Sequence, residues 1–339
     1  MDSHFTRYSI EDRSYIAFIK REIRLKAIAA KFSETDVGKI DIIVSELTSN
    51  LIKHAGSGEL LYRVISGADN LPEFEILCID KGPGISDTAN AMRDGVSTKG
   101  TLGSGLGALQ RLSTAFNIFS MRGWGTILYS KVTTETRGWE PPKPGFDLDV
   151  NVLCVPKTLE EVCGDGYEIV HTPTSIKILF GDGLGHGVHA KNAMDVAEKF
   201  FRECEDEDPP TIIRGMHETV RRTRGLVATI AIMDKKSNTW RICGVGNIST
   251  RLYTGIEYRN YMAYNGTVGL NIPKSMNTTV IPVERNQHLV MCSDGIITRW
   301  NLSTYPSVFK YDTMILAGAL FKDFSRGTDD ASVLIAKVT

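Results

Sequence analysis

Two α+β domains in one chain are predicted by three features of its 339 residues. The length exceeds one ordinary core and suits two of roughly 150 residues each. Residues 133–145 read Thr-Thr-Glu-Thr-Arg-Gly-Trp-Glu-Pro-Pro-Lys-Pro-Gly, with three prolines and no apolar period, between strand-like segments. Helical and strand periods are mixed before this stretch, whereas strand periods dominate after it. The reading is a first domain at 1–132, a linker at 133–145 and a second domain at 146–339. An extended linker of this length reaches at most about 40 Å at ~3.1 Å per residue.

In the first domain, Phe5 to Ile10 predicts a short strand and Arg13 to Phe32 a helix with Ile16, Ile19, Ile23 and Ala27 on one face. Ser33, followed three residues later by Asp36, is a capping signal for a second helix. There Ile40, Ile43, Val44, Leu47 and Leu51 form an apolar stripe, while Glu46, Asn50 and Lys53 share an adjacent face at ~100° per residue. Strands are expected at Glu59–Ile65, Glu73–Ile79, Phe116–Met121 and Gly125–Val132, with a helix from Gly105 to Ala115, which makes a layered α+β sandwich. Beyond the linker, strands are expected at 147–155, 166–172, 175–181, 226–234, 239–244, 250–253 and 288–292, with helices at 188–203 and 210–223.

Composition excludes several classes. Lys+Arg 39 against Asp+Glu 40 gives a net charge of −1, so no basic field recruits nucleic acid or an anionic membrane. Six scattered cysteines without a Cys-x-x-Cys pair read as small buried residues in a reducing compartment. No run approaches the ~18 apolar residues of a membrane helix, and the first residues lack a signal-peptide stretch. A cytoplasmic protein is expected.

Two constellations carry chemistry. In the first domain, Asn50 offers a neutral oxygen to the magnesium of ATP, and Glu46, one turn earlier, is placed to orient or deprotonate an attacking hydroxyl. His54 ends this helix face within reach of phosphate. Asp80 ends a strand and precedes Gly82 and Gly84, where backbone can approach a flat base. Gly103, Gly105 and Gly107 open a helix whose free N–H groups and dipole favour phosphate. In the second domain, Asp165, Asp182, Asp294 and Asp329 sit mostly at turns. Four clustered carboxylates repel and require cations, and two divalent ions match their charge. Gly183 follows Asp182 and adds a backbone carbonyl ligand, while His186, between two glycines, is placed to steady a phosphate.

The first set resembles the GHKL ATPase family. Glu46-Leu-Thr-Ser-Asn50-Leu-Ile-Lys53-His54 is similar to its N-box, Asp80-Lys-Gly82-Pro-Gly84 to its first glycine box, Gly103-Ser104-Gly105-Leu106-Gly107 to its second, and Gly125-Thr126 to its late Gly-Thr element. Asp41 to Leu112 is most similar to the RsbT-type serine kinases within it. The second set, with Cys163-Gly-Asp165, Gly181-Asp-Gly-Leu-Gly-His-Gly187, Gly244-Val-Gly-Asn247, Ser293-Asp-Gly295 and Asp329-Asp-Ala-Ser332, resembles the SpoIIE-type branch of PP2C phosphatases, with a likeness to the RsbX type. Glu168 stands where many members of that branch have aspartate.

These resemblances imply a GHKL (Bergerat) α/β sandwich followed by a PP2C-like α-β-β-α sandwich. They imply ATP with Mg²⁺ in the first domain and two Mn²⁺ or Mg²⁺ in the second. The implied activity is phosphorylation and dephosphorylation of serine or threonine on a STAS-domain protein. A sigma-factor-pathway phosphatase or anti-sigma protein is a further expected partner. The alternative is a nucleotide-sensing phosphatase whose first domain binds ATP or ADP without transferring phosphate.

Overall fold

The computed structural model describes residues 4–67, 71–92, 105–134 and 145–339. The chain divides into two compact units, one made of Met1–Pro141 with Lys310–Ala319 and the other of Pro142–Phe309 with Leu320–Thr339. Residues 310–319 thus group apart from the 146–339 domain expected from sequence. They open helix α7 (Thr313–Phe324), whose sequence is apolar on nearly every side and gave no stripe by which to assign it. Within the first unit, Gly318 faces Leu77 and Ile127 so closely that a Cβ there would come within 2.9 Å of Leu77.

The amino-terminal unit contains β1 (Thr6–Ile10), α1 (Ile16–Ala29), α2 (Glu34–Asn50), β2 (Gly58–Ser66), β3 (Pro72–Asp80), the short α3 (Thr88–Ala91), α4 (Gly105–Leu112), β4 (Ala115–Met121) and β5 (Gly125–Thr133). Its strands form one antiparallel sheet in the order β1-β2-β3-β5-β4. Alternation along β2 and β3 places Leu60, Tyr62, Phe74 and Ile76 on the face that receives Ile19 and Ile23 of α1 and Ile40, Val44 and Leu47 of α2. Ser33 caps α2 as its spacing predicts, its Oγ accepting from the Asp36 N–H at 3.1 Å.

The helix does not stop at Asn50. It continues as a π-helical turn over Leu51–Ala55 and ends at Gly56, where φ is +84°. A π turn advances less per residue than the 100° of an α-helix. Lys53 and His54 therefore leave the register that put them in line with Glu46 and Asn50. Both side chains are exposed.

On the other face of the sheet lies a buried ion pair. Glu75 accepts from Arg63 Nε at 2.8 Å and Nη2 at 2.7 Å, and from the Tyr129 hydroxyl at 2.9 Å, while the Arg63 guanidinium lies 4.5 Å from the Phe5 ring centre. Burial alone would push the Glu75 carboxyl up, but Arg63, Lys131 and these hydrogen bonds hold it below the ordinary carboxylate range.

The carboxy-terminal unit has two antiparallel five-stranded sheets. One runs β13-β10-β9-β8-β7 and the other β12-β11-β14-β15-β6. The strands are β6 (Leu148–Val155), β7 (Asp165–His171), β8 (Ser175–Gly183), β9 (Leu226–Asp234), β10 (Thr239–Val245), β11 (Ser249–Thr254), β12 (Glu257–Tyr261), β13 (Thr279–Pro282), β14 (His288–Cys292) and β15 (Ala331–Val338). Ile178, Phe180, Met233 and Trp240 from the first sheet meet Leu252, Leu289, Met291 and Leu334 from the second in a buried core. Helices α5 (Val188–Glu203) and α6 (Pro209–Thr219) cover the outer face of the first sheet, where Ala193, Met194 and Phe201 pack with Leu179, Ile230 and Ile232.

None of the six cysteines is bridged, and all are buried except the half-buried Cys204. Among the described residues no helix is long and apolar enough to cross a membrane.

Removing one partner of a buried ion pair leaves the other uncompensated. Glu75→Gln is expected to destabilise the amino-terminal unit by about 3 kcal/mol, and Arg63→Met with Glu75→Leu to recover most of that loss. Hydrogen exchange at β2 and β3 during urea denaturation of the full chain checks both.

Candidate functional site

β7 and β8 pair so that Asp165 lies directly opposite Asp182. Like charges in that relation destabilise a sheet, so the position demands compensation. Asp165 is only 2 % exposed. Its Oδ2 accepts from the Ser293 hydroxyl at 2.7 Å, whereas Oδ1 is buried and has no partner in hydrogen-bonding geometry. Ser293 is itself fixed, because its Oγ accepts from the Ser332 N–H at 3.0 Å. One hydroxyl thus ties the end of β14 to β15 and to β7.

Asp182, Asp294 and Asp329 line a cavity of about 340 Å³, together with Leu184, Gly185, Val227, Gly246, Asn247, Asn265 and Gly266. Asp165 borders this group from the core side and raises the charge cost felt at Asp182. Burial is the main cause holding the Asp182 carboxyl well above its ordinary range, and Asp165, Asp294, Asp329 and Asp330 add to it. Burial likewise lifts Asp165, against the Ser293 hydrogen bond and with help from Asp330 and Asp294. Among the described residues no three His, Cys, Asp or Glu side chains close on a single ion position. The carboxylates share a cavity instead.

The neighbouring Asp330 has a different task. Its two oxygens accept from the N–H groups of Lys157 at 2.7 Å and Gly164 at 2.8 Å. It fastens the 157–164 loop that leads into Asp165, while Asp329 faces the cavity. Gly183 is buried beneath α5, and its N–H donates to Gly164 O at 3.1 Å. Any Cβ at Gly183 would collide with the Ala190 backbone, which explains the residue type. His186 is exposed, and its Nδ1 pairs with Glu160 Oε1 at 2.7 Å. Glu168 pairs with Arg202 of α5 and does not line the cavity.

Three contributors escaped the sequence reading. Ser293 and Asn247 were visible only as members of motifs. Arg251 was not singled out, yet its guanidinium lies 3.8 Å from the Trp300 ring centre and donates to Trp300 O at 2.6 Å and Thr298 O at 2.7 Å. It thereby anchors the loop that follows Asp294. No local pattern announces such a clamp.

In the amino-terminal unit the residues of the nucleotide motifs converge from four segments. Asp80 Oδ1 accepts from the Gly82 N–H at 2.8 Å and the Thr126 N–H at 3.2 Å, joining the end of β3 to the start of β5. Thr126 Oγ1 lies 2.9 Å from Ser120 Oγ. Gly84 has φ +74° and packs so tightly on the Met121 carbonyl that no side chain fits. A Cβ at Gly82 would lie 2.9 Å from Ala55 Cα, which sets this loop against the π turn after Asn50. Glu46 is half-buried and points at the start of α4, where a Cβ on Gly105 would meet Glu46 Oε2 at 2.7 Å. Leu106 is half-buried against the core and Gly107 is buried. Gly103 and Ser104 lie outside the described residues.

The aspartate pair has a pH signature. Folding holds both carboxyls above their unfolded value, so the folded chain keeps protons that the unfolded chain has released. Stability without divalent cations is then present at low pH and lost as pH rises through and above the ordinary carboxylate range. Asp182→Asn is expected to flatten this decline between about pH 5 and about pH 8, and to raise the cation-free melting point by about 2–4 °C per ~1 kcal/mol relieved. Mn²⁺ should raise the midpoint of the wild type and not of the variant; calorimetry in chelator and in Mn²⁺ measures both.

Comparison with known proteins fits this geometry. The family model described as Stage II sporulation protein E (SpoIIE) matches residues 172–339. Over 95 residues, 28% of this chain and 71% of the relative, the sequence is 36% identical to the serine/threonine-protein kinase RsbT of Bacillus subtilis (strain 168). Over 138 residues, 40% of this chain and 69% of the relative, it is 21% identical to the phosphoserine phosphatase RsbX of the same organism. A crystal structure of RsbX in complex with magnesium superposes with TM-score 0.51 at 18% identity, covering 59% of this chain and 98% of that one, which shows a shared fold. The chain therefore belongs to the RsbT family through its amino-terminal part and carries a SpoIIE/PP2C-type phosphatase domain in its carboxy-terminal part.

Proposed function

We propose that this chain is a bifunctional regulator of partner switching, which phosphorylates serine or threonine on a STAS-domain protein with one unit and removes that phosphate with the other. The observation that carries the reading is the buried, unpartnered Oδ1 of Asp165 opposite Asp182, beside a cavity bearing two further carboxylates. Such an arrangement fits divalent cations, because burial and mutual repulsion of the carboxylates make their ionised forms costly without a positive charge beside them. Asp165, Asp182, Asp294 and Asp329 would hold two Mn²⁺ or Mg²⁺, with the Gly183 carbonyl as a further ligand. When bound, the ions polarise a phosphoryl oxygen and make water nucleophilic. Ser293 keeps Asp165 from turning, Asp330 holds the loop that delivers it, and the Arg251 clamp steadies the segment after Asp294.

In the kinase half, the reading rests on Asp80, Gly82, Thr126 and Glu46 being brought together by hydrogen bonds and close packing at the ends of β3, α2 and β5 and the start of α4. Asp80 would accept from the adenine amino group, with Thr126 beside it. Asn50 would face the magnesium and phosphates, and Gly82, Gly84 and the Gly103-Ser104-Gly105-Leu106-Gly107 segment would surround the nucleotide. Glu46 would take the proton of the attacking hydroxyl. The match to RsbT supports a partner protein as phosphoacceptor, and the match to RsbX supports phosphoserine as the phosphatase substrate.

Incubating the full chain with labelled ATP and a STAS-domain protein tests both halves. Glu46→Ala is expected to lower label transfer by about 100-fold or more while nucleotide still binds. Asp182→Asn should leave transfer intact and abolish release of the label. Nucleotide binding without transfer by the wild type would reduce the amino-terminal unit to a sensor.

A further inference from the structure

β10 and β11 belong to different sheets, and only Gly246, Asn247 and Ile248 separate them. This crossover is pinned at both ends. Gly246 has φ +109°, donates to Tyr264 O at 2.8 Å, and lies so close to the Val227 side chain that any Cβ would overlap it. Ile248 is buried in the core between the sheets. Asn247, held between them, lines the cavity and donates through Nδ2 to Asp294 Oδ2 at 3.1 Å.

We infer that Asn247 is a positioning residue for divalent cation binding: it holds the Asp294 carboxylate at the cavity and so sets the affinity of the cation that Asp294 receives. The inference rests on the cation-binding reading given above. Asp294 follows β14 of one sheet, whereas Asn247 leaves β10 of the other, so their hydrogen bond spans the seam where the two sheets meet. An amide suits this position because it donates a hydrogen bond without changing the charge. The cavity already carries Asp182, Asp294 and Asp329, and a fourth carboxylate would add repulsion; a lysine would compete with the cation. Partners that orient a metal-binding carboxylate commonly contribute 10–100-fold in metal affinity. Asn247 is exposed at the cavity, so truncating it leaves the core intact.

Isothermal titration of the full-length protein with Mn²⁺, in wild type, Asn247→Ala and Asn247→Gln, tests the inference, with Asp182→Asn as control. Asn247→Ala should weaken Mn²⁺ binding by about tenfold or more, with an unchanged melting point in chelator. Phosphatase turnover should recover at saturating Mn²⁺, and Asn247→Gln should retain part of the affinity. Equal Mn²⁺ affinity in wild type and Asn247→Ala would overturn the role of Asn247 alone. A turnover loss that persists at saturating Mn²⁺ would overturn it too, by placing the amide on the substrate. If the wild type binds Mn²⁺ no better than Asp182→Asn, the cation-binding reading itself fails.

Discussion

Two aspartates opposed across neighbouring strands are the constraint on which the carboxy-terminal unit depends. A sheet ordinarily avoids like charges at directly paired positions, and here one of the two is almost wholly withdrawn from water. The surrounding structure is arranged so that the pair persists. Ser293 satisfies one oxygen of Asp165, Asp330 fastens the preceding loop through two backbone N–H groups, and close-packed Gly183 lets α5 lie directly over the strand end. Remaining repulsion is relieved by protons or by cations, and that choice couples folding to ionic conditions.

The amino-terminal unit meets a different constraint, that of packing several backbone segments closely around Asp80. Glycines at 82, 84 and 105 remove side chains from crowded approaches, and Asp80 spends one oxygen on fixing the geometry of two of those segments. The π turn after Asn50 lies against the same loop. Single π turns inside helices occur often at functional sites because they displace residues from the regular helical face.

Much of this was legible in the sequence, for identifiable reasons. β9 and β14 coincide with their expected limits because each is a continuous apolar run bounded by turn residues. The Ser33 cap follows from a local spacing. By contrast, β15 was missed although its run is apolar, and α7 was missed because a helix buried on nearly all sides shows no period. β12 and β13 are short and largely exposed, so neither alternates strongly. The four aspartates could be named individually, but the direct opposition of Asp165 and Asp182 depends on strand register. The division of labour between Asp329 and Asp330 depends on which way each carboxylate turns. The departure of Lys53 and His54 from the Glu46 face came from a backbone irregularity that residue type does not encode.

The pairing of β6 with β15 bears on the order in which the domain is made. These are its first and last strands, and the Lys157–Asp330 hydrogen bond between their ends joins residues 173 positions apart. Contacts of such separation form slowly, because a long loop must close before they contribute. During translation, a nascent chain that has already exposed β7 and β8 still lacks both Asp330 and the strand beside β14. Phosphate-releasing capacity should consequently emerge only after the last strand of the domain has been synthesised.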